Sequence, residues 1–153
     1  MTFFQNIQNR FGILIVVVIF VFLFVGCVKD KAPSDMPSLQ PCTIIVIMDG
    51  KPLANASVHC QPNDNGKWYG SGITDNNGVA KILTLSRYSG LTTGDYVVSV
   101  IKKIPDPNWT PKPEEGHPNI SVIDEKFGDE TTSPLKCTVT TGKNQFQLEV
   151  TTP

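Results

Sequence analysis

The chain has 153 residues, with 13 Lys and Arg against 14 Asp and Glu and a formal net charge of -1. That balance offers no basic patch of the kind nucleic acid requires, and the length suits one ordinary domain with short additions. Twelve glycines and twelve prolines, beside abundant Val, Ile and Thr, favour many short strands joined by turns.

The first element is Phe11 to Cys27, FGILIVVVIFVFLFVGC, an apolar run after ten mostly polar residues in which Arg10 is the one charge. A short basic start, an apolar core and a small residue before a cut site form a signal peptide pattern, expected as an N-terminal hydrophobic signal helix. Phe24, Val25, Gly26 and Cys27 resemble the bacterial lipobox, in which cleavage ahead of the cysteine goes with lipidation of its sulfur. Phe24 departs from the pattern, since Leu is usual at that position. The rival reading is an uncleaved membrane anchor, because residues 11–28 form an unbroken run of 18 apolar residues or glycines. Arg10 before the run and Lys29 and Lys31 after it give little positive-inside bias. Gly26 and Cys27 at the end of the run, followed directly by VKDKAPSDMPS, favour cleavage. Either reading exports the remainder. The expected organisation is a signal peptide over 1–26, a lipidated Cys27 with a flexible proline-containing tether over 27–41, and a domain over 42–153. A lipid anchor on Cys27 would hold the protein to the inner or outer membrane of the envelope without a protein span.

From Cys42 the pattern is strand-like. CTIIVIM leads into the Asp49-Gly50 turn, and ASVHCQ follows with Ala56, Val58 and Cys60 on one face and Ser57, His59 and Gln61 on the other. Turns at 63–66 and 74–78 flank a glycine-interrupted strand, KWYGSGIT, after which VAKILTL is predicted as one strand. DYVVSVIK places Tyr96, Val98 and Val100 together. LKCTVT and NQFQLEV are predicted to form a hairpin across Thr141-Gly142-Lys143, with Leu135, Cys137, Val139, Phe146, Leu148 and Val150 inward. Seven such strands point to an antiparallel sandwich. Between them, Lys103 to Pro134 is a long connection with six prolines, too many for a sheet interior. Within it ISVIDEKF could pack along the sandwich through Ile120, Val122, Ile123 and Phe127.

The segments DGKPLANASV (49–58), TDNNGVAKI (74–82), GDYVVSV (94–100) and EKFGDETTSPLKCTVTTGKNQFQLEV (125–150) resemble the carboxypeptidase regulatory-like, transthyretin-like domain of many small planctomycete lipoproteins. The resemblance covers nearly all of 42–151 and implies a seven-stranded, prealbumin-like (immunoglobulin-like) all-β sandwich. It implies little chemistry, because in metallocarboxypeptidases that domain sits beside the catalytic one and is not itself catalytic. This chain departs from the family in its additional cysteines and in Ala80, where a larger apolar residue is usual. The fold also includes a hydrolase of the urate pathway that ends Tyr-Arg-Gly-Ser; this chain ends Val-Thr-Thr-Pro.

The candidate chemistry is sparse. Cys42, Cys60 and Cys137 fall on inward phases and read as small buried hydrophobes, with a Cys60 to Cys137 bridge between the sheets as an oxidising-compartment alternative. Asp75-Asn76-Asn77-Gly78 and Asn63-Asp64-Asn65-Gly66 look faintly like calcium loops but lack a completing carboxylate, and read as tight turns. His59 and His117 are far apart in sequence, with no ligand at metal spacing, so neither a metal nor a cofactor is expected. No nucleophile elbow is present, and no catalytic residue is assigned. Trp68, Tyr69 and Trp109 are the rings a sugar-binding face would use. Three sequons, at Asn55, Asn108 and Asn119, carry little weight beside a bacterial lipobox. The expectation is therefore a non-catalytic envelope lipoprotein. Its sandwich would serve a protein or glycan partner, with a carbohydrate-binding module and an unrecognised hydrolase as alternatives.

Overall fold

A computed structural model describes residues 32–64, 66–110, 116 and 118–153. The apolar run, Phe24, Val25, Gly26 and Cys27, the first tether residues and His117 lie outside the described residues.

The packed unit runs from Ser34 to Pro153, so it begins ahead of the expected start at Cys42. The reason is local: the Gln40 amide donates to the Leu91 carbonyl at 2.7 Å, the Leu91 amide returns a bond at 3.0 Å, and the Pro41 carbonyl accepts from Asn144. Asp35 makes an ion pair with Lys67 farther upstream. The end of the tether is thus part of the domain.

β1 (Cys42–Met48) alternates buried Cys42, Ile44 and Val46 with half-buried Thr43, Ile45 and Ile47, the signature of a strand with one covered face. Asp49 and Gly50 both take positive φ, 48° and 80°, which suits the tight turn of a twisted hairpin and folds β2 (Lys51–Pro52) back onto β1. β3 (Ser57–Pro62) buries Val58 and Cys60, as its alternation predicts, and pairs with β4 (Gly70–Ile73).

VAKILTL does not remain one strand. β5 (Val79–Lys81) pairs with β1, whereas β6 (Leu83–Thr84) pairs with β4 and leads into β7 (Tyr88–Ser89). The chain changes sheets at Ile82, which is 1% exposed and donates its amide to the Cys42 carbonyl at 3.1 Å. Gly72 admits this crossing, because a Cβ there would stand 2.7 Å from the Lys81 carbonyl oxygen.

β8 (Gly94–Ile101) buries Tyr96, Val98 and Val100. The long connection is not free of strands, as β9 (Lys103–Pro105) and β10 (Asn119–Ser121) form a separate two-stranded ribbon. A 3-10 turn over Glu125–Phe127 follows, with the Asp124 side chain accepting from the Lys126 amide. It seats Phe127, with Ile123 just before it, against the core, while Ile120 stays 40% exposed. β11 (Lys136–Val139) and β12 (Asn144–Val150) complete the chain.

The result is all-β and sandwich-like. One sheet has the order β12-β1-β2, with β5 also on β1, and the other β11-β8-β3-β4-β6-β7. Two expectations are corrected. β11 and β12 do not form a hairpin: β11 pairs with β8 and β12 with β1. The sandwich is also not wholly antiparallel, since β12 runs parallel to β1 along its whole length. Asn144 explains the first correction. Its Oδ1 accepts from the Thr140 amide at 3.0 Å, and its Nδ2 donates to the Thr140 and Gly142 carbonyls, both at 2.9 Å. One buried side chain thereby satisfies the corner, and no strand-to-strand ladder is needed there.

The turn between β6 and β7 is strained. Leu85 and Ser86 have φ of 52° and 56°, and the Arg87 amide donates to the Thr84 carbonyl at 3.1 Å. Both central positions of such a turn favour Asn or Gly. Replacing both (Leu85→Asn with Ser86→Gly) is expected to raise stability by about 1 kcal/mol in chemical denaturation. An unchanged or lowered midpoint would show that the Ser86 side chain offsets the strain.

A candidate ligand trough on the outer sheet face

The outward residues of the larger sheet come together across three strands. Ser71 on β4, His59 on β3 and Ser99 on β8 are in register, and with strands about 4.8 Å apart they make a row over the sheet. His59 is exposed, Ser71 half-buried and Ser99 buried, and the segment after the 3-10 turn, Gly128 to Thr131, lines the same hollow as His59 and Ser99.

That segment is held by short bonds. Asp129 Oδ1 accepts from the Thr131 amide at 2.7 Å and from Thr131 Oγ1 at 2.6 Å, and the Asp129 carbonyl accepts from the Ser133 amide at 2.8 Å. Buried Ser133 donates its hydroxyl to the Val98 carbonyl at 2.6 Å, which ties the segment to β8. The Thr131 hydroxyl and amide hold the Asp129 carboxyl below the usual carboxylate range. Asp129 is therefore anionic at neutral pH.

Between this segment and β3–β4 lies a trough of about 390 Å³, lined by His59, Gln61, Tyr69, Ser99, Asp129 and Glu130, among others. Tyr69 is 47% exposed at its rim. A more apolar hollow of about 450 Å³ adjoins on the other side of His59, over Ser71, Leu83, Ser86 and Ile73, the last 69% exposed. His59 is shared by both. Ser71 Oγ stands 3.1 Å from Ser86 Oγ, and no hydrogen bond joins His59 to Ser71 or Ser99. The arrangement offers an aromatic face beside imidazole, amide, hydroxyl and carboxylate groups, which is binding chemistry of the kind polyhydroxylated ligands use.

Of the three rings singled out from sequence, only Tyr69 lines the trough. Trp68 is half-buried under the Lys67 ammonium, 4.6 Å from its ring centroid. Trp109 is half-buried on the β9–β10 connection. The calcium-like loops are turns: Asp75 Oδ1 accepts from the Asn77 and Val79 amides at 2.8 and 3.0 Å, and Asp64 Oδ1 from the Gly66 amide at 2.9 Å. Ser99 and the Asp129–Thr131 segment were not singled out by sequence reasoning. Ser99 shares the outward phase of its strand with nothing but generic polar character to mark it.

Cys42, Cys60 and Cys137 are buried free thiols. An inter-sheet bond between Cys60 and Cys137 does not fit this topology, because β3 and β11 flank β8 within one sheet. Two strand spacings of about 4.8 Å already exceed the roughly 7 Å Cα limit of a disulfide. Burial pushes Cys42 up to about 11 and Cys137 up to about 12, and burial, followed by the Cys137 and Cys42 thiols, pushes Cys60 well above its ordinary value. None is a thiolate nucleophile near neutral pH.

No family model matches the chain, and no curated protein matches it. Among solved structures, the chain is similar to the major pilin subunit of Bacillus cereus, with 13% identity and a TM-score of 0.46 over 75% of this chain and 30% of that one. It is also similar to a 9R-lipoxygenase from Cyanothece, with 19% identity and a TM-score of 0.39 over 80% of this chain and 18% of that one.

Proposed function

We propose that the chain is a non-catalytic bacterial cell-envelope lipoprotein, anchored through Cys27, whose sandwich is a binding module of the seven-stranded, prealbumin-like type. The observation that carries the binding role is the trough lined by His59, Gln61, Asp129 and Glu130, with the exposed Tyr69 ring at its rim. The anchor rests on the sequence FVGC at the end of the apolar run.

The exposed ring favours a neutral saccharide as ligand, because a sugar's C–H face stacks on an aromatic ring while its hydroxyls take up planar polar groups. A hydrolase using His59 is the other reading, favoured by the row Ser71–His59–Ser99.

A glycan array probed with the full chain in detergent tests the saccharide. Binding that is lost in both Tyr69→Ala and His59→Ala is the expected outcome, and no binding to any glycan would remove this reading. Ester and amide turnover abolished by His59→Ala would replace it with the hydrolase. For the anchor, Cys27→Ser is expected to abolish lipid labelling and signal peptide release; maturation and membrane association left intact would overturn it.

A further inference from the structure

We infer that β12 is a self-pairing edge through which two copies of this chain join into one continuous sheet. The backbone groups of β12 alternate in direction along the strand. The Asn144 amide donates to the Pro41 carbonyl, and the Val150 carbonyl accepts from the Asp49 amide. Even-numbered residues of β12 therefore face β1, and the N–H and C=O groups of Gln145, Gln147 and Glu149 face away from it. β12 has no second partner strand, and none of those outward groups has a hydrogen-bond partner among the described residues. The parity continues past the strand, where the outward Thr151 carbonyl is taken by the Asp124 amide at 2.9 Å.

An open edge normally carries a guard such as Lys, Pro or a bulge. Two other edges here do: β2 is Lys51–Pro52, and β11 presents Lys136. β12 reads NQFQLEV, a straight run with Glu149 as its one charge and no lysine, proline or bulge.

The occupant that fits is a second copy. An antiparallel two-fold pairing centred on Gln147 sets Gln147 opposite itself and Gln145 opposite Glu149, so every outward pair meets in hydrogen-bonding phase and no like charges face each other. The same register places half-buried Phe146 opposite Leu148 of the second copy, which adds an apolar contact on the inner face. An isologous contact of this kind closes at two copies.

The test uses the full chain in detergent. In this register the Cα atoms of the two Gln147 residues lie about 5.5 Å apart, within the range that a disulfide spans. Gln147→Cys is therefore expected to form an intermolecular disulfide on mild oxidation. Glu149→Cys is expected not to, since its own copy lies about 13 Å away along the strands. Gln147→Pro removes an outward N–H and no bond to β1, so it is expected to convert a dimer in sedimentation into a monomer whose melting temperature equals that of the wild type diluted until it too is monomeric. A wild-type monomer, cross-linking no greater at 147 than at 149 or in the wild type, or a dimer that survives Gln147→Pro would each overturn the inference. Capture of a strand from another protein by a monomeric chain would count among the overturning results.

Discussion

The sandwich is expected to keep its stability up to about pH 8 and to lose a large share of it as the pH rises from 9 toward 12. A thiol released by unfolding titrates near its ordinary 9.0, whereas folded Cys42 titrates at about 11 and folded Cys137 at about 12. The folded values lie above the unfolded ones, so the native state holds protons that the unfolded chain gives up. Stability is complete below the unfolded value and falls as the pH rises through the folded ones. At about 1.4 kcal/mol per pKa unit, Cys42 removes roughly 2–3 kcal/mol and Cys137 about 4 kcal/mol. Cys60 acts in the same direction, and so does Tyr96, whose phenol is raised first of all by burial. Against a total of about 5–15 kcal/mol, that is a large share of the domain's stability. Urea midpoints followed by tryptophan fluorescence across this range measure the loss. Replacing Cys42, Cys60 and Cys137 by alanine is expected to lower stability at neutral pH and to flatten the alkaline fall. A wild-type midpoint constant to pH 11 would contradict the burial of these thiols.

Asn144→Ala is expected to cost about 3 kcal/mol, because the Thr140 and Gly142 carbonyls and the Thr140 amide lose their partner at a site 6% exposed. Asn144→Asp is expected to cost more, since it sets a carboxylate against two carbonyls in place of two N–H donors. Chemical denaturation at neutral pH reads both. A loss under about 1 kcal/mol for the alanine variant would mean that water replaces the side chain at the corner.

Asn144 also marks where the sequence stopped being legible. Alternation revealed which side chains turn inward, and Val58, Cys60, Tyr96, Val98, Val100, Cys137, Val139, Leu148 and Val150 are all buried as that pattern requires. Alternation carries no record of the partner strand. The tight link from β11 to β12 has the composition of a hairpin turn, and only the buried amide shows that it crosses between sheets. Likewise VAKILTL keeps its apolar residues through Ile82, where the strand leaves one sheet for the other. The trough was partly readable, in that His59 and Gln61 were placed on the outward face and Tyr69 among the exposed rings. Its closure by Asp129, Glu130 and Thr131 was not, since these ordinary loop residues reach His59 only through the Ser133 bond to β8.

The parallel pairing of β1 with β12 has a mechanical consequence. Cys42 lies beside Asn144 at one end of the ladder and Met48 beside Val150 at the other, so the chain enters the first strand and leaves the last one at opposite ends of the pair. Tension applied between the two termini slides these strands lengthwise past each other and loads every rung at once, instead of opening the bonds one after another. The first and last strands of the domain thus act as a shear clamp, and the core between the sheets is released only after that clamp fails.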